Sequence, residues 1–143
     1  MTEEVKRNYL EINSLQDLKE GNKPSEDYSL SLIDPINFQL NKFFYKNVGK
    51  KHNWIDRLTW SETDWIKYTS DSKVETYILK VKNDLAGYFE LIFHTDLKEI
   101  EIAYFGLLEE YHYKKLGAYL LSEAIKKSFL KKILNAFGHI HVH

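Results

Sequence analysis

The chain has no cysteine, which excludes a disulfide framework, a thiolate nucleophile and a thiolate metal site together. It has little net charge: twenty Lys and Arg against twenty-one Asp and Glu leave a formal −1. That balance argues against wholesale nucleic-acid or membrane-surface binding, so any phosphate site has to be local. No apolar run approaches the length of a membrane span. The opening MTEEVKRNYL lacks the apolar core of a signal peptide, so a cytoplasmic location is expected. Internal repeats and low-complexity tracts are missing too. What is present is an ordinary globular balance, 43% hydrophobic and 29% charged over 143 residues, enough chain for one domain with its own core. Aromatic residues make up 15%, ten of them tyrosine, which suits a thick core and a cleft for an extended ligand.

The N-terminal part reads as a short strand from Tyr9 to Ile12, a helical turn, and a polar loop, EGNKPSED, from Glu20 to Asp27. Asp34-Pro35 has the form of an N-cap followed by proline at the first helical position. Ile36, Leu40, Phe43, Phe44 and Val48 then recur at helical spacing until Gly49. Ser61-Glu-Thr-Asp64 has the form of a capping box and opens a second helix through Trp65 and Tyr68. From Val74 the period changes to two. Strands are expected over Val74 to Val81, Gly87 to His94 and Glu99 to Leu107, joined at Asn83-Asp84 and Thr95-Asp96 into an antiparallel meander. A helix follows, with Leu120, Leu121, Ala124, Ile125 and Phe129 as its apolar stripe and Glu123, Lys126, Lys127, Lys131 and Lys132 away from it. His139 to His143 alternate as a last strand. A strand, a long helix and a strand make a crossover unit, so this strand should run parallel to the third of the meander. The fold class is α+β, a mixed, mostly antiparallel sheet flanked by helices.

The stretch YHYKKLGAYLL, Tyr111 to Leu121, lies between the third strand and that helix. The first N–H groups of a helix lack intrahelical partners, and the peptide dipoles add partial positive charge. A diphosphate there needs close backbone approach, which glycine permits. Gly117-Ala118 supplies a small pair, and His112, Lys114 and Lys115 supply local charge. A simple turn with solvated lysines is the competing reading of the same residues.

EIAYFGLLEEYHYKKLGAYLL, Glu101 to Leu121, resembles the acetyl-CoA-binding core of the GCN5-related N-acetyltransferase (GNAT) superfamily in ungapped register. In that family a strand runs into a loop Gln/Arg-x-x-Gly-x-Gly/Ala and then a helix. The loop positions fall on His112, Lys115 and Gly117, of which the last matches strictly. LAGYFELIF, Leu85 to Phe93, is similar to the preceding strand, and Phe43 to Trp65 is similar to the substrate-side helices of one bacterial branch.

The resemblance implies one domain over 1–143 with the acetyl-CoA-binding core at about 74–143. It implies that backbone groups of Phe105, Gly106 and Leu107 hold the pantetheine arm. Backbone N–H groups of His112, Tyr113, Lys114, Lys115, Leu116, Gly117 and Ala118 would hold the pyrophosphate. Glu101 falls where some members place a general base, and a base is needed because an ammonium cannot attack a thioester. Glu90 is the alternative, with a basic partner as its competing role. The implied activity moves an acetyl group from acetyl-CoA, as co-substrate, to a primary amine of a small molecule or peptide. Lys115 stands where the family has glycine, which would strain a position needing positive φ. The chain stops where relatives continue through a further helix and strands. That would leave the last strand an open edge, which invites pairing with a second copy as a homodimer.

Other constellations point less far. His139, His141 and His143 alternate on one strand, but no nearby carboxylate completes a metal site, so no metal is expected. Trp54, Trp60 and Trp65 with Phe43, Phe44 and Tyr45 line either an acceptor cleft or core. Asp56-Arg57 reads as a structural ion pair or cap. The lysine pairs on the last helix read as a solvated face, so no nucleic-acid partner is expected. A non-catalytic acyl-CoA-binding or oligomerisation module of the same fold is the alternative function.

Overall fold

A computed structural model describes residues 10–11, 27–114, 116–135 and 139–142. The meander forms where the period-two pattern puts it: β3 (Val74–Val81), β4 (Asp84–His94) and β5 (Glu99–Leu107) pair antiparallel in sequence. β4 starts three residues before the expected Gly87. The crossover rule also holds, since β6 (His139–Val142) lies parallel to β5 with Glu99 opposite His139 and Ile102 opposite Val142. Two strands complete a six-stranded sheet: β1 (Leu10–Glu11) on the outer edge of β6, and β2 (Tyr28–Leu32) beside β3. β1 corrects the expectation of an open edge on the last strand, because Leu10 and Glu11 pair with Val142 and His141.

Helices cover both faces. On one, α3 (Leu116–Asn135) lays Leu116, Leu120, Ala124, Ile125 and Phe129 over Leu79, Phe89, Leu91, Ile100 and Ile102. On the other, α1 (Phe38–His52) packs Phe44 and Val48 on Ile78 and Tyr88, with Phe44 and Tyr88 stacked at 4.7 Å. β4 is therefore buried on both sides, which explains its near-continuous apolar run. α2 (Glu62–Thr69) opens with the expected box: Asp64 N–H donates to Ser61 Oγ at 3.2 Å, and Ser61 N–H donates to Asp64 Oδ2 at 2.9 Å.

The boundaries of α1 differ from expectation. Its N-cap is Asn37, whose Oδ1 accepts from Gln39 N–H at 3.2 Å; Asp34 and Pro35 stand before the helix, joined by a cis peptide. Gly49 does not end it. Gly49 sits inside the last turn because Trp54 packs against it, and a Cβ there would lie 2.9 Å from Trp54 Cβ. The helix stops at Asn53, whose φ of 54° is the left-handed cap.

The lysines of α3 are not all directed to solvent. Lys131 reaches Glu75 on β3 at 3.5 Å, and Lys127 lies over the Tyr77 ring. The polar loop expected from Glu20 to Asp27 lies outside the described residues up to residue 26. Among the described residues, no helix is long and apolar enough to cross a membrane.

Candidate functional site

The central feature is an irregularity in β5. Phe89 pairs with Phe105, yet Leu91 pairs with Ile102, so two residues, Ala103 and Tyr104, stand opposite Glu90 alone. Such a bulge bends and twists the strand and re-aims the side chains after it. Ile102 and Phe105 consequently both face α3, while Glu101 and Tyr104 both face the α1 and α2 side. Without the extra residue Tyr104 would point into the α3 core.

Beyond the bulge, Leu108 N–H donates to Ala86 O at 2.8 Å. Peptide groups alternate between the two edges of an antiparallel strand, so those of Phe105 and Leu107 are directed away from β4. On that edge β6 pairs with Glu99 to Ile102, and no described strand pairs with Ala103 to Leu107. Gly106 has a different reason to be glycine: a Cβ there would run into Val48 Cγ1 of α1.

The connection to α3 is a 3₁₀ turn, Glu109–Lys114, rather than an open loop. Its His112 does not point at the helix start; the imidazole Nε2 bonds to Leu107 O at 2.9 Å, on the unpaired edge of β5. Lys115 and the side chains of Tyr113 and Lys114 lie outside the described residues. Leu116 is fully buried and anchors α3, leaving Gly117 half-buried and Ala118 exposed. A Cβ built on Gly117 meets nothing within 4 Å, and its φ is not positive. Neither packing nor backbone conformation requires glycine there, in contrast to Gly49, Gly87 and Gly106. Among the described residues, no side chain lies over this first turn of the helix, the place where an anion is held by backbone N–H groups.

On the α1 and α2 face, Glu101 does not stand bare on a strand. Its Oε1 lies 2.7 Å from His94 Nε2. Glu90, the alternative base, is wholly buried and bound on every side. Arg57 Nη1 donates to both its oxygens at 3.2 and 3.0 Å, Tyr68 O–H to Oε2 at 2.7 Å, and Asn41 Nδ2 to Oε1 at 3.0 Å. It is the partner of a basic residue. That residue is Arg57, which therefore pairs with Glu90 across the fold.

Arg57 itself is 5% exposed. Tyr45, Trp60, Trp65, Tyr68 and Tyr104 surround its guanidinium, the nearest ring centres 4.0 Å away. Burial alone would lower its pKa, but the Glu90 charge and the Tyr68 and Tyr104 hydroxyls more than offset this, so the guanidinium is held charged. Burial and the Glu90 charge push the hydroxyls of Tyr68 and Tyr88 well above the usual phenol range. Of the aromatic residues weighed as an acceptor cleft, Tyr45, Trp60 and Trp65 are part of a cage around the chain's own arginine, while Trp54 packs on Gly49. Trp65, Tyr45 and Phe44 are core, and Phe43 is exposed.

Sequence reasoning misses one residue of this site, His94, and the side-chain contact of another, His112. His94 is visible there only as the end of a strand, and nothing local in the sequence pairs it with Glu101 seven residues on. His112 stands out for its charge, whereas in the fold it binds a strand carbonyl. Among the described residues no three His, Asp or Glu side chains gather as a metal site. His139 and His141 occupy the register positions beside Glu99 and Glu101; His143 lies outside the described residues.

Comparison with known proteins bears on the family and the fold. The sequence model of the Acetyltransferase (GNAT) family matches residues 37–143. Among solved structures, an aminoglycoside acetyltransferase from an uncultured soil metagenomic sample superposes with a TM-score of 0.64 at 7% identity, covering 85% of this chain and 80% of its own. A GCN5-related N-acetyltransferase from Kribbella flavida gives 0.61 at 11% identity, over 94% of this chain but 46% of that one. The ribosomal-protein-S18-alanine N-acetyltransferase of Escherichia coli gives 0.53 at 13%, over 73% and 61%. At these identities the likeness is one of fold. No curated protein sequence matches. With three quarters of its length matched by the family's own sequence pattern, the chain belongs to the GNAT acetyltransferase family.

Proposed function

We infer that the chain is an N-acetyltransferase that moves the acetyl group of acetyl-CoA to a primary amine of a small molecule or peptide. The carrying observation is a bulged β5 whose Phe105 and Leu107 backbone groups are directed away from β4, followed at once by an α3 start whose Gly117 has no described side chain over it. In this reading Phe105 and Leu107 offer backbone groups to the pantetheine arm. Gly106 continues the strand between them. The Leu107 carbonyl already accepts from His112, so the arm is left the Leu107 N–H and both groups of Phe105. N–H groups of the turn and of α3, from His112 through Tyr113, Lys114, Lys115, Leu116 and Gly117 to Ala118, hold the diphosphate.

Acetyl-CoA supplies an acyl carbon already activated as a thioester. The chain supplies position, a strand N–H for the developing oxyanion, and a proton acceptor on the Glu101 side of the sheet. The structures it resembles acetylate, by their descriptions, aminoglycosides or a ribosomal protein's alanine. Both acceptors are amines, and the choice between them is open to assay.

Calorimetric titration with CoA and acetyl-CoA tests the reading. Gly117→Val should weaken binding at least tenfold without lowering the melting temperature, since no described residue occupies that space. Unchanged affinity in the variant, or no binding by the wild type, sinks the reading. One observation favours a non-catalytic acyl-CoA-binding module instead: Arg57 fills the aromatic pocket on the acceptor side. Such a module binds CoA but releases no thiol with any amine.

A further inference from the structure

We propose that the proton of the incoming ammonium is taken by His94, with Glu101 as the residue that positions it; this rests on the acetyltransferase reading above. The ladder places His94 directly across from Glu99 and Glu101 directly across from Ile92. The 2.7 Å bond between His94 Nε2 and Glu101 Oε1 is therefore a diagonal one, made on the sheet face that also carries Tyr104. A carboxylate can only accept, so the shared proton sits on Nε2, and Nδ1 is the ring nitrogen left to exchange a proton.

Exposure orders the pair. The Glu101 side chain is 16% exposed and that of His94 is 36%, so the carboxylate is the inner member and the imidazole the outer one. In carboxylate-histidine pairs generally, the buried acid fixes the tautomer and steadies the imidazolium, while the imidazole moves the proton. The charged groups sharing the face are Glu99 across the ladder and the Arg57–Glu90 pair further along β4. His139 and His141 hold the register positions next to Glu99 and Glu101, and Glu11 the position next to His141.

Atoms and protons balance across the step. The ammonium gives one proton to His94 Nδ1, directly or through one water, and the imidazolium later returns it to solvent. The free amine nitrogen bonds to the thioester carbon and the carbon–sulfur bond breaks. The second proton lost by nitrogen leaves with the thiolate as the free thiol. One proton per turnover appears in the medium.

The test is thiol release from acetyl-CoA with a polyamine, an aminoglycoside and an alanine-initiated peptide, alongside calorimetry with CoA. His94→Gln should lower kcat about a hundredfold while leaving CoA affinity within twofold. Glu101→Gln should lower kcat less, and the double variant should be no slower than His94→Gln, because the two act as one unit. Added imidazole should restore turnover to His94→Ala in proportion to its concentration, an effect no merely structural role produces. The proposal falls if His94→Gln turns over at the wild-type rate, if Glu101→Gln is the slower of the two, or if imidazole restores nothing to a folded, CoA-binding His94→Ala. Wild-type protein that binds CoA but releases no thiol with any of the three amines overturns the acetyltransferase reading itself, and this proposal with it.

Discussion

Replacing Arg57 by Met isolates what the caged ion pair does for the fold. The side chain links the α1–α2 connection to β4 through Glu90 and to β5 through the Tyr104 ring. Removing one partner of a buried ion pair costs about 3–5 kcal/mol, chiefly because the other charge is left in a dry site. Here Glu90 would keep Tyr68 O–H and Asn41 Nδ2 as donors, which places the cost near the lower end, about 3 kcal/mol. For a domain of this length that corresponds to a fall in Tm of about 10 °C, a large part of a total stability of about 5–15 kcal/mol. Urea unfolding at neutral pH reads it directly, with the m-value unchanged. Arg57→Met combined with Glu90→Leu removes both charges from the same space. The double variant should be more stable than Arg57→Met alone, because an apolar pair of similar volume is often as good as a buried ion pair. A cost below about 1 kcal/mol for Arg57→Met, or strictly additive losses in the double variant, would refute the view that this pair stands or falls together.

Two further outcomes concern the packing and the titration behaviour. Gly106→Ala pushes a methyl into Val48 and should destabilise by about 1–3 kcal/mol, most of it recovered in Gly106→Ala/Val48→Ala; a neutral single variant would contradict the close approach of α1 to β5. Alkaline pH should unfold the protein. Burial and the Glu75 charge push the Tyr77 hydroxyl up to about 12, and Tyr68 and Tyr88 are raised well above 10. A raised folded pKa means the native state keeps protons that the unfolded chain sheds near 10, so stability is full below that pH and falls as pH rises toward 12. Absorbance in the phenolate band should therefore show these tyrosines ionising together with loss of near-UV circular dichroism. Ionisation of all ten tyrosines near pH 10 with the fold intact contradicts the reading.

Much of this architecture is legible because both periods are strong. β3 and β5 begin and end where the alternation from Val74 and from Glu99 begins and ends. The parallel pairing of β6 comes from chain connectivity alone. β2 escapes the pattern although YSLSL alternates, since five residues beside a polar stretch offer little signal against a loop. The start of α1 is misplaced because Asp-Pro and Asn are equally good opening signals, and tertiary packing chooses Asn37. The partner of Glu90 is foreseeable by type and not by position: Arg57 lies 33 residues away, and only the packing of the α1–α2 connection on the sheet brings them together. His94 and Glu101 are each visible, but a diagonal contact depends on register, and here register is set by the turn that joins β4 to β5, whose geometry composition does not announce.

That bulge is also what joins the two halves of the candidate site. A regular β5 would put Glu101, Ala103, Phe105 and Leu107 on one face, so the acidic residue and the apolar anchors of α3 would compete for the same side of the sheet. The inserted residue resolves this conflict. Before it, Ile100 and Ile102 fill the α3 core and Glu101 reaches His94; after it, Phe105 and Leu107 take over that core and Tyr104 closes on Arg57. The ladder to β4 is disrupted at the same point, and the strand bends there. One extra residue thus turns a polar face toward α1 and α2, and leaves the backbone groups of Phe105 and Leu107 directed away from β4. Deleting Ala103 should therefore damage both functions together with the core, whereas the side-chain changes at His94, Glu101 and Gly117 should separate them.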